Sequence, residues 1–191
     1  ILGYQHDVQK YGLLYASAQK NIGPAGLTLV IVKESLLDKE QDLPSMLDYV
    51  KLIKRDSNLN TPPVFPIYAA GLVFQWLKKQ GGVKQMQQQN EAKTALLYDM
   101  LDNSKLFLGT AHAPDRSLTN VPFTTGSKEL DEKFITQAEK NGLKNIRGHV
   151  LAGGMRASMY NAFPFEGVKA LVDFMKAFEQ KERRIYATTM Q

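Results

Sequence analysis

Lys20 is the side chain in this sequence best placed to do chemistry. It stands at the end of an apolar segment and just ahead of Gly23-Pro24-Ala25-Gly26, a sharply turned stretch. A lysine held there is expected to be partly desolvated. Desolvation favours the neutral amine, the nucleophile that attacks a carbonyl. Gln19 beside it could hydrogen-bond a ligand, and the competing reading is an ordinary surface lysine in a loop. Ser17 and Lys20 also form an S-x-x-K pair, the signature of penicillin-recognising serine enzymes. Those sites need the pair on a helix together with S-D-N and K-T-G elements, and the sequence has neither.

Two further groups could bind anions. Asn60-Thr61 precedes Pro62-Pro63 and an apolar run, so Thr61 suits a helix N-cap, and the helix start with its amide and hydroxyl suits a phosphate. Gly153-Gly154-Met155-Arg156 sets an arginine after two residues without side chains. A ligand could approach the backbone there while the guanidinium grips a carboxylate in two-pronged fashion, unless Arg156 is simply paired at the surface. His149 lies just upstream and could hold an anion or satisfy a turn. His6, His112 and His149 lack the spacing of a metal site, and no carboxylate pair stands out as an acid/base couple, so no metal is expected.

The elements that must position these groups can be read from periodicity. Residues 11–15 and 27–32 are strand-like, the second an almost continuous apolar run that predicts a strand covered on both faces. Residues 35–48 are polar and contain Pro44, which predicts short helical turns. A helix is expected from the Thr61 cap through Leu77, ending at Gly81-Gly82, which is also the expected domain boundary. A second helix covers 83–101 and a third carries Leu130, Phe134, Ile135 and Ala138 before Asn141-Gly142. Short strands are expected at 107–108 and 121–123. Residues 155–160 alternate like an edge or half-buried strand. Phe165, Val168, Leu171, Val172, Met175 and Phe178 mark the clearest amphipathic helix.

The composition removes other classes. The chain of 191 residues is 43% hydrophobic and 23% charged, ordinary for a folded globular protein. Residues 1–80 hold 9 basic and 7 acidic side chains and residues 81–191 hold 15 and 12, so the net charge of +5 is spread rather than massed into a nucleic-acid-binding arm. Without cysteine there is no disulfide scaffold, thiolate zinc site or catalytic thiol. No stretch reaches the ~20 apolar residues of a membrane span. Neither a nucleic-acid nor a membrane partner is therefore expected.

Tyr15-Ala-Ser-Ala-Gln-Lys20-Asn-Ile-Gly-Pro-Ala-Gly-Leu-Thr28 closely resembles the lysine segment of the phosphoserine aminotransferases, class-V, fold-type-I enzymes that use pyridoxal phosphate. Asn60-Thr-Pro-Pro63, Gly71-Leu-Val-Phe-Gln-Trp-Leu77, Asn120-Val-Pro-Phe123 and Gly153-Gly-Met-Arg-Ala-Ser-Met-Tyr-Asn-Ala162 follow in the same order, and the resemblance runs from about Asp7 to about Glu179. It implies an α/β fold: residues 1–80 as the C-terminal part of the large pyridoxal-phosphate-binding domain, and 81–191 as a small α+β domain. It makes Lys20 the Schiff-base lysine and the proton carrier of the reaction, with Gln19 against the cofactor. Asn60 and Thr61 reach the cofactor phosphate of the neighbouring subunit, so that a homodimer shares its active sites. Arg156 holds the substrate α-carboxylate, and His149 lies near the substrate phosphate. The implied reaction moves an amino group between glutamate and 3-phosphohydroxypyruvate, in serine and in many bacteria pyridoxine biosynthesis, in the cytoplasm.

Two departures accompany the resemblance. Where the family commonly has Gly-His-Arg, this chain has Gly148-His149-Val150, so a charge-assisted phosphate contact is missing at that position. That keeps open a class-V aminotransferase with a different amino acceptor. The sequence also begins past the family's aspartate for the pyridine nitrogen and past its stacking aromatic residue and Gly-rich phosphate loop, and residues 1–6 and 183–191 are atypical. The expectation is a piece of a longer enzyme or a truncated relative, inactive alone; a non-catalytic truncated domain is the alternative.

Overall fold

The computed structural model of the chain describes residues 1–37 and 42–189, the last four of them by backbone alone. It divides into two units, Ile1–Lys84 and Gln85–Gln191. In the first, β1 (Leu13–Ser17) and β2 (Thr28–Val32) pair antiparallel, with Leu13 opposite Val32 and Ser17 opposite Thr28. Short helical turns follow at Glu34–Leu36 and Ser45–Leu47. The centre of the polar stretch 35–48 lies outside the described residues. Next come α1 (Tyr49–Lys54), capped by the Asp48 carboxylate, and α2 (Val64–Lys79). β2 departs from expectation: none of its residues is buried, and Ile31 is 52% exposed. A two-stranded ribbon has no second layer to cover its other face, so even a continuous apolar run stays half open.

The boundary of α2 also differs from expectation. The helix starts at Val64, with Pro63 at the cap position and no side-chain capping bond, so Thr61 is not its N-cap. Each proline drives the residue before it out of helical space. Thr61 and Pro62 are therefore kept out of helical space, and the helix can begin no earlier than Pro63, which takes the cap position.

The second unit places α3 (Gly82–Asn103), α4 (Lys128–Lys140) and α5 (Phe165–Thr189) around an antiparallel sheet ordered β3 (Leu108–Gly109), β4 (Asn120–Thr124), β5 (Met155–Ser158). β3 stops where it meets Pro122, which has no N–H to continue the ladder. The alternation in β4 and β5 sends Val121, Phe123, Met155 and Ala157 to one face, where the core collects with Leu97, Phe107, Phe134, Met175 and Phe178. α4 forms as its sequence dictates. Ser127 accepts from Leu130 N–H, Glu129 and Asp131 complement the dipole, and Gly142 (φ 85°) lets the chain leave. The fifth helix runs eleven residues past its last expected core position at Phe178. No helix among the described residues is long and apolar enough to cross a membrane.

One buried cation organises the exit from β5. Lys93 on α3 is 2% exposed, and its Nζ donates to Tyr160 O (3.0 Å) and Phe163 O (3.1 Å). Burial pushes the Lys93 ammonium below its ordinary 10.5. A lysine depressed in this way binds fewer protons folded than unfolded. Stability therefore rises with pH between the depressed value and 10.5, and the gain is absent below that window. The neutral amine keeps two N–H groups, enough for both carbonyls. Urea midpoints measured across alkaline pH are expected to climb in the native protein relative to Lys93→Met, and parallel curves would contradict the assignment.

Candidate active site

The lysine loop is built by its neighbours. Ala18 N–H donates to Leu27 O (2.7 Å) and Ile22 N–H to Gln19 O (3.1 Å), closing a turn around Gln19, Lys20 and Asn21. Ala18 and Ile22, each 1% exposed, point into a small core with Ala70 of α2. Gly23 (φ 137°) passes so close to the helix that a Cβ would lie 3.7 Å from Ala70 Cα. With the two alternate positions anchored inward, Gln19 and Lys20 face outward. Lys20 itself adopts φ 55°, a left-handed conformation that costs a non-glycine residue roughly 1–2 kcal/mol. Such strain persists where the surroundings enforce it, and it clusters at functional sites.

The expectation of a partly desolvated amine is corrected here. Lys20 is exposed, because burial in this segment is taken by Ala18 and Ile22. The S-x-x-K reading fails on geometry as well: Ser17 ends a strand and Lys20 lies in a left-handed turn, so no helix carries the pair.

Asn60, in a bend, and Thr61 lie in the exposed lead-in to α2, the helix on which the lysine loop packs. Neither side chain is consumed by capping. Immediately after them α2 presents an apolar face to solvent, with Val64 70%, Phe65 71% and Tyr68 64% exposed.

In the second unit, His149 and Arg156 flank a tight hairpin. Gly148 N–H donates to Gly154 O (2.9 Å), and the N–H groups of Ala152 and Gly153 both reach His149 O (2.9 and 2.8 Å). A Cβ at Gly148 would fall 2.0 Å from Gly153 O, and one at Gly154 (φ 60°) 2.7 Å from Phe123 O, so both glycines are required by close backbone approach. His149 is exposed, and its Nδ1 accepts from Leu151 N–H (3.3 Å), which leaves Nε2 directed away from the turn. Val150 and Leu151 form the tip and are 95% and 91% exposed. Arg147 is bound in a two-pronged pair to Glu132, whose carboxyl it holds below the usual carboxylate range. Arg156, by contrast, is half-buried, and its Nε has no protein partner among the described residues. Lys93, which pins the loop beyond β5, was missed by sequence reasoning. Its signal would have been a lysine among the apolar positions of α3.

The side chains of the first unit suit pyridoxal phosphate: a primary amine on a strained, rigidly held turn, and an amide and a hydroxyl free to donate to a phosphate. Among the described residues no cluster of His, Asp and Glu suited to a metal ion occurs.

Comparison with known proteins bears on the same segments. The class-V aminotransferase family model matches residues 1–171. Phosphoserine aminotransferase of Lactiplantibacillus plantarum is 56% identical over 182 residues, covering 95% of this chain and 51% of the relative. The structure of phosphoserine aminotransferase from Bacillus circulans subsp. alkalophilus superposes with a TM-score of 0.89 at 41% identity, over 95% of this chain and 51% of that one. The pyridoxal-phosphate-bound phosphoserine aminotransferase of Trichomonas vaginalis gives 0.81 at 35% identity, over 90% and 49%. The chain thus spans about half the length of the relatives it matches.

Proposed function

Because the chain belongs to the class-V aminotransferase family, we propose that it forms the lysine-bearing half of a phosphoserine aminotransferase, which moves an amino group between glutamate and 3-phosphohydroxypyruvate. The observation that carries this reading is Lys20, held at φ 55° on a turn anchored by Ala18 and Ile22. Pyridoxal phosphate supplies an electrophilic carbonyl carbon and an electron-withdrawing ring when bound.

The chain's own residues do the rest. Lys20 Nζ would hold the cofactor through its carbonyl carbon and, as a free amine, would take a proton from the substrate α-carbon and return it to that carbonyl-derived carbon, two bonds away across the transferred nitrogen. Its exposed position leaves room for that movement. Gln19 fixes the cofactor from the adjacent position. Asn60 and Thr61 donate to the phosphate of the neighbouring subunit's cofactor, and the apolar face of α2 that follows them supports a homodimer with shared sites. Arg156 binds the substrate α-carboxylate, to which its unpaired Nε is suited. His149 offers Nε2 to the substrate phosphate. The reading carries with it a cytoplasmic location. Val150 at the hairpin tip favours one alternative, a class-V enzyme with an acceptor of different charge, which equal turnover of phosphorylated and unphosphorylated hydroxypyruvate would establish.

The direct test is to incubate the purified chain with pyridoxal phosphate, reduce with borohydride and map the peptides. A stable pyridoxyl group concentrated on Lys20 is expected. Labelling scattered over the surface lysines would overturn the assignment.

A further inference from the structure

Among the described residues Lys93 is the one buried lysine or arginine, in a unit whose core is otherwise built of aliphatic and aromatic side chains. An ammonium out of water is less stable there than an apolar side chain of the same length. What the lysine adds is direction. Its Nζ draws two carbonyls, Tyr160 O and Phe163 O, toward one point on α3. One turn earlier Asn90, also fully buried, donates its amide to Asn161 Oδ1 (2.9 Å). Residues 160, 161 and 163, which carry the chain out of β5, are thus tied to a single face of one helix.

Arg156 depends on how that strand is held. Met159 N–H reaches Thr119 O, so the pairs that exchange bonds between β4 and β5 are Met159 with Thr119, Ala157 with Val121 and Met155 with Phe123. Arg156 faces Pro122 in a non-bonded pair, and its N–H turns to Ile146 O instead (2.8 Å). The backbone that carries the guanidinium therefore has no ladder bond of its own to β4, and its setting follows from the anchors on either side. Before it stands the hairpin closed by Gly148 and Gly154. After it, Ser158 and Tyr160 continue the same face of the strand, and both donate to Asn120 Oδ1 (3.0 and 3.3 Å). Two sets of bonds meet at Tyr160: β4 holds its phenol, and Lys93 holds its carbonyl.

We propose that Lys93 is a positioning residue for Arg156. By fixing the exit of β5 on α3 it sets the strand, and with it the angle at which the guanidinium meets the substrate α-carboxylate. The inference rests on the assignment of that carboxylate to Arg156 made above. A two-pronged grip is steep in angle, so a small tilt of the strand weakens one of its two bonds. The carboxylate is held alike before and during reaction, so the loss is read in KM rather than in kcat.

The test uses an enzyme that joins this chain to the half its relatives carry besides it, loaded with pyridoxal phosphate. Arg156→Met removes the guanidinium and is expected to raise KM for glutamate about a hundredfold. Lys93→Met keeps the length of the side chain, removes both donated bonds, and is expected to raise KM about tenfold with kcat within about twofold. The double variant decides the role. With the guanidinium gone its aim no longer matters, so the double variant should be no worse than Arg156→Met alone. A merely structural lysine gives the same loss on both backgrounds, or a fall in kcat alone, and either result overturns the proposal. If Lys93→Met does not fold, Asn161→Ala takes its place, because it releases the same segment from Asn90 and leaves Lys93 in position. It is expected to raise KM about threefold, and only while Arg156 is present; an unchanged KM overturns the proposal. An Arg156→Met variant with unchanged KM removes the carboxylate assignment itself. An impaired Arg156→Met beside an unimpaired Lys93→Met removes the proposal alone.

Discussion

In an enzyme that joins this chain to the half its relatives carry besides it, Lys20→Gly is expected to abolish the proposed amino transfer, while leaving the chain as stable as before or more so. The loss in turnover should be about a thousandfold or more, because the variant removes both the nucleophile and the proton carrier at once. The stability change has the opposite sign. Lys20 sits at φ 55°, where glycine is unstrained, so the substitution relieves roughly 1 kcal/mol of backbone strain, offset in part by the freer unfolded chain. Lys20→Arg separates charge from chemistry: it keeps the cation but stays protonated, and is expected to be as inactive as the glycine variant. Thermal unfolding of the chain tests the second half; turnover of glutamate, with the same substitutions placed in an enzyme that also carries the half its relatives have outside this stretch, tests the first. A glycine variant that retained activity would remove Lys20 from the centre of the mechanism. One that lost stability sharply would show that the side chain is held for structure.

Phe134→Ala carries the largest expected loss of stability. Phe134 is fully buried on α4 and meets Phe107 (5.0 Å between ring centroids, nearly edge-on), Phe178 (5.1 Å), Phe174 (5.4 Å) and Phe123 (6.1 Å). It therefore joins both strand and helix layers of the second unit. Removing such a ring costs about 3–5 kcal/mol, because helices held by four other aromatics cannot collapse into the space. For a unit of this size that lowers the midpoint by on the order of 20 °C. Phe134→Leu keeps most of the volume and should lose about a third as much. Scanning calorimetry of the two variants checks this. A shift below about 5 °C for the alanine variant would mean that the cluster repacks freely.

Both expectations rest on positions that differ in how far the sequence revealed them. Phe134 was legible: Leu130, Phe134, Ile135 and Ala138 recur at helical spacing before an Asn141-Gly142 stop, all local signals. The amphipathic start of α5 and the alternation of 155–158 were legible for the same reason. The type of residue at the candidate site was legible too. An amine before a Gly-Pro-x-Gly turn and an arginine after two glycines name their chemistry by composition, and the resemblance of those segments named the family.

What the sequence could not reveal depended on contacts made at a distance. The exposure of Lys20 follows from Ala18 and Ile22 packing on Ala70, some fifty residues away, which turns the neighbouring side chains outward. The openness of β2 follows from its having a single partner strand. Thr61 looked like a cap, and only the combined restriction of two consecutive prolines moved the helix start past it. Lys93 is the clearest case. Its spacing from Met86, Leu97 and Met100 sets it on the buried face of α3, but the carbonyls that accept from it belong to Tyr160 and Phe163 beyond β5, which no local pattern reveals. Sequence by itself determined which elements form and which chemistry their side chains offer, because both depend on near neighbours. Tertiary structure alone decided which faces are covered, which backbone edges stay unpaired and which lysine meets solvent, because each of those is set by a partner the local chain does not contain.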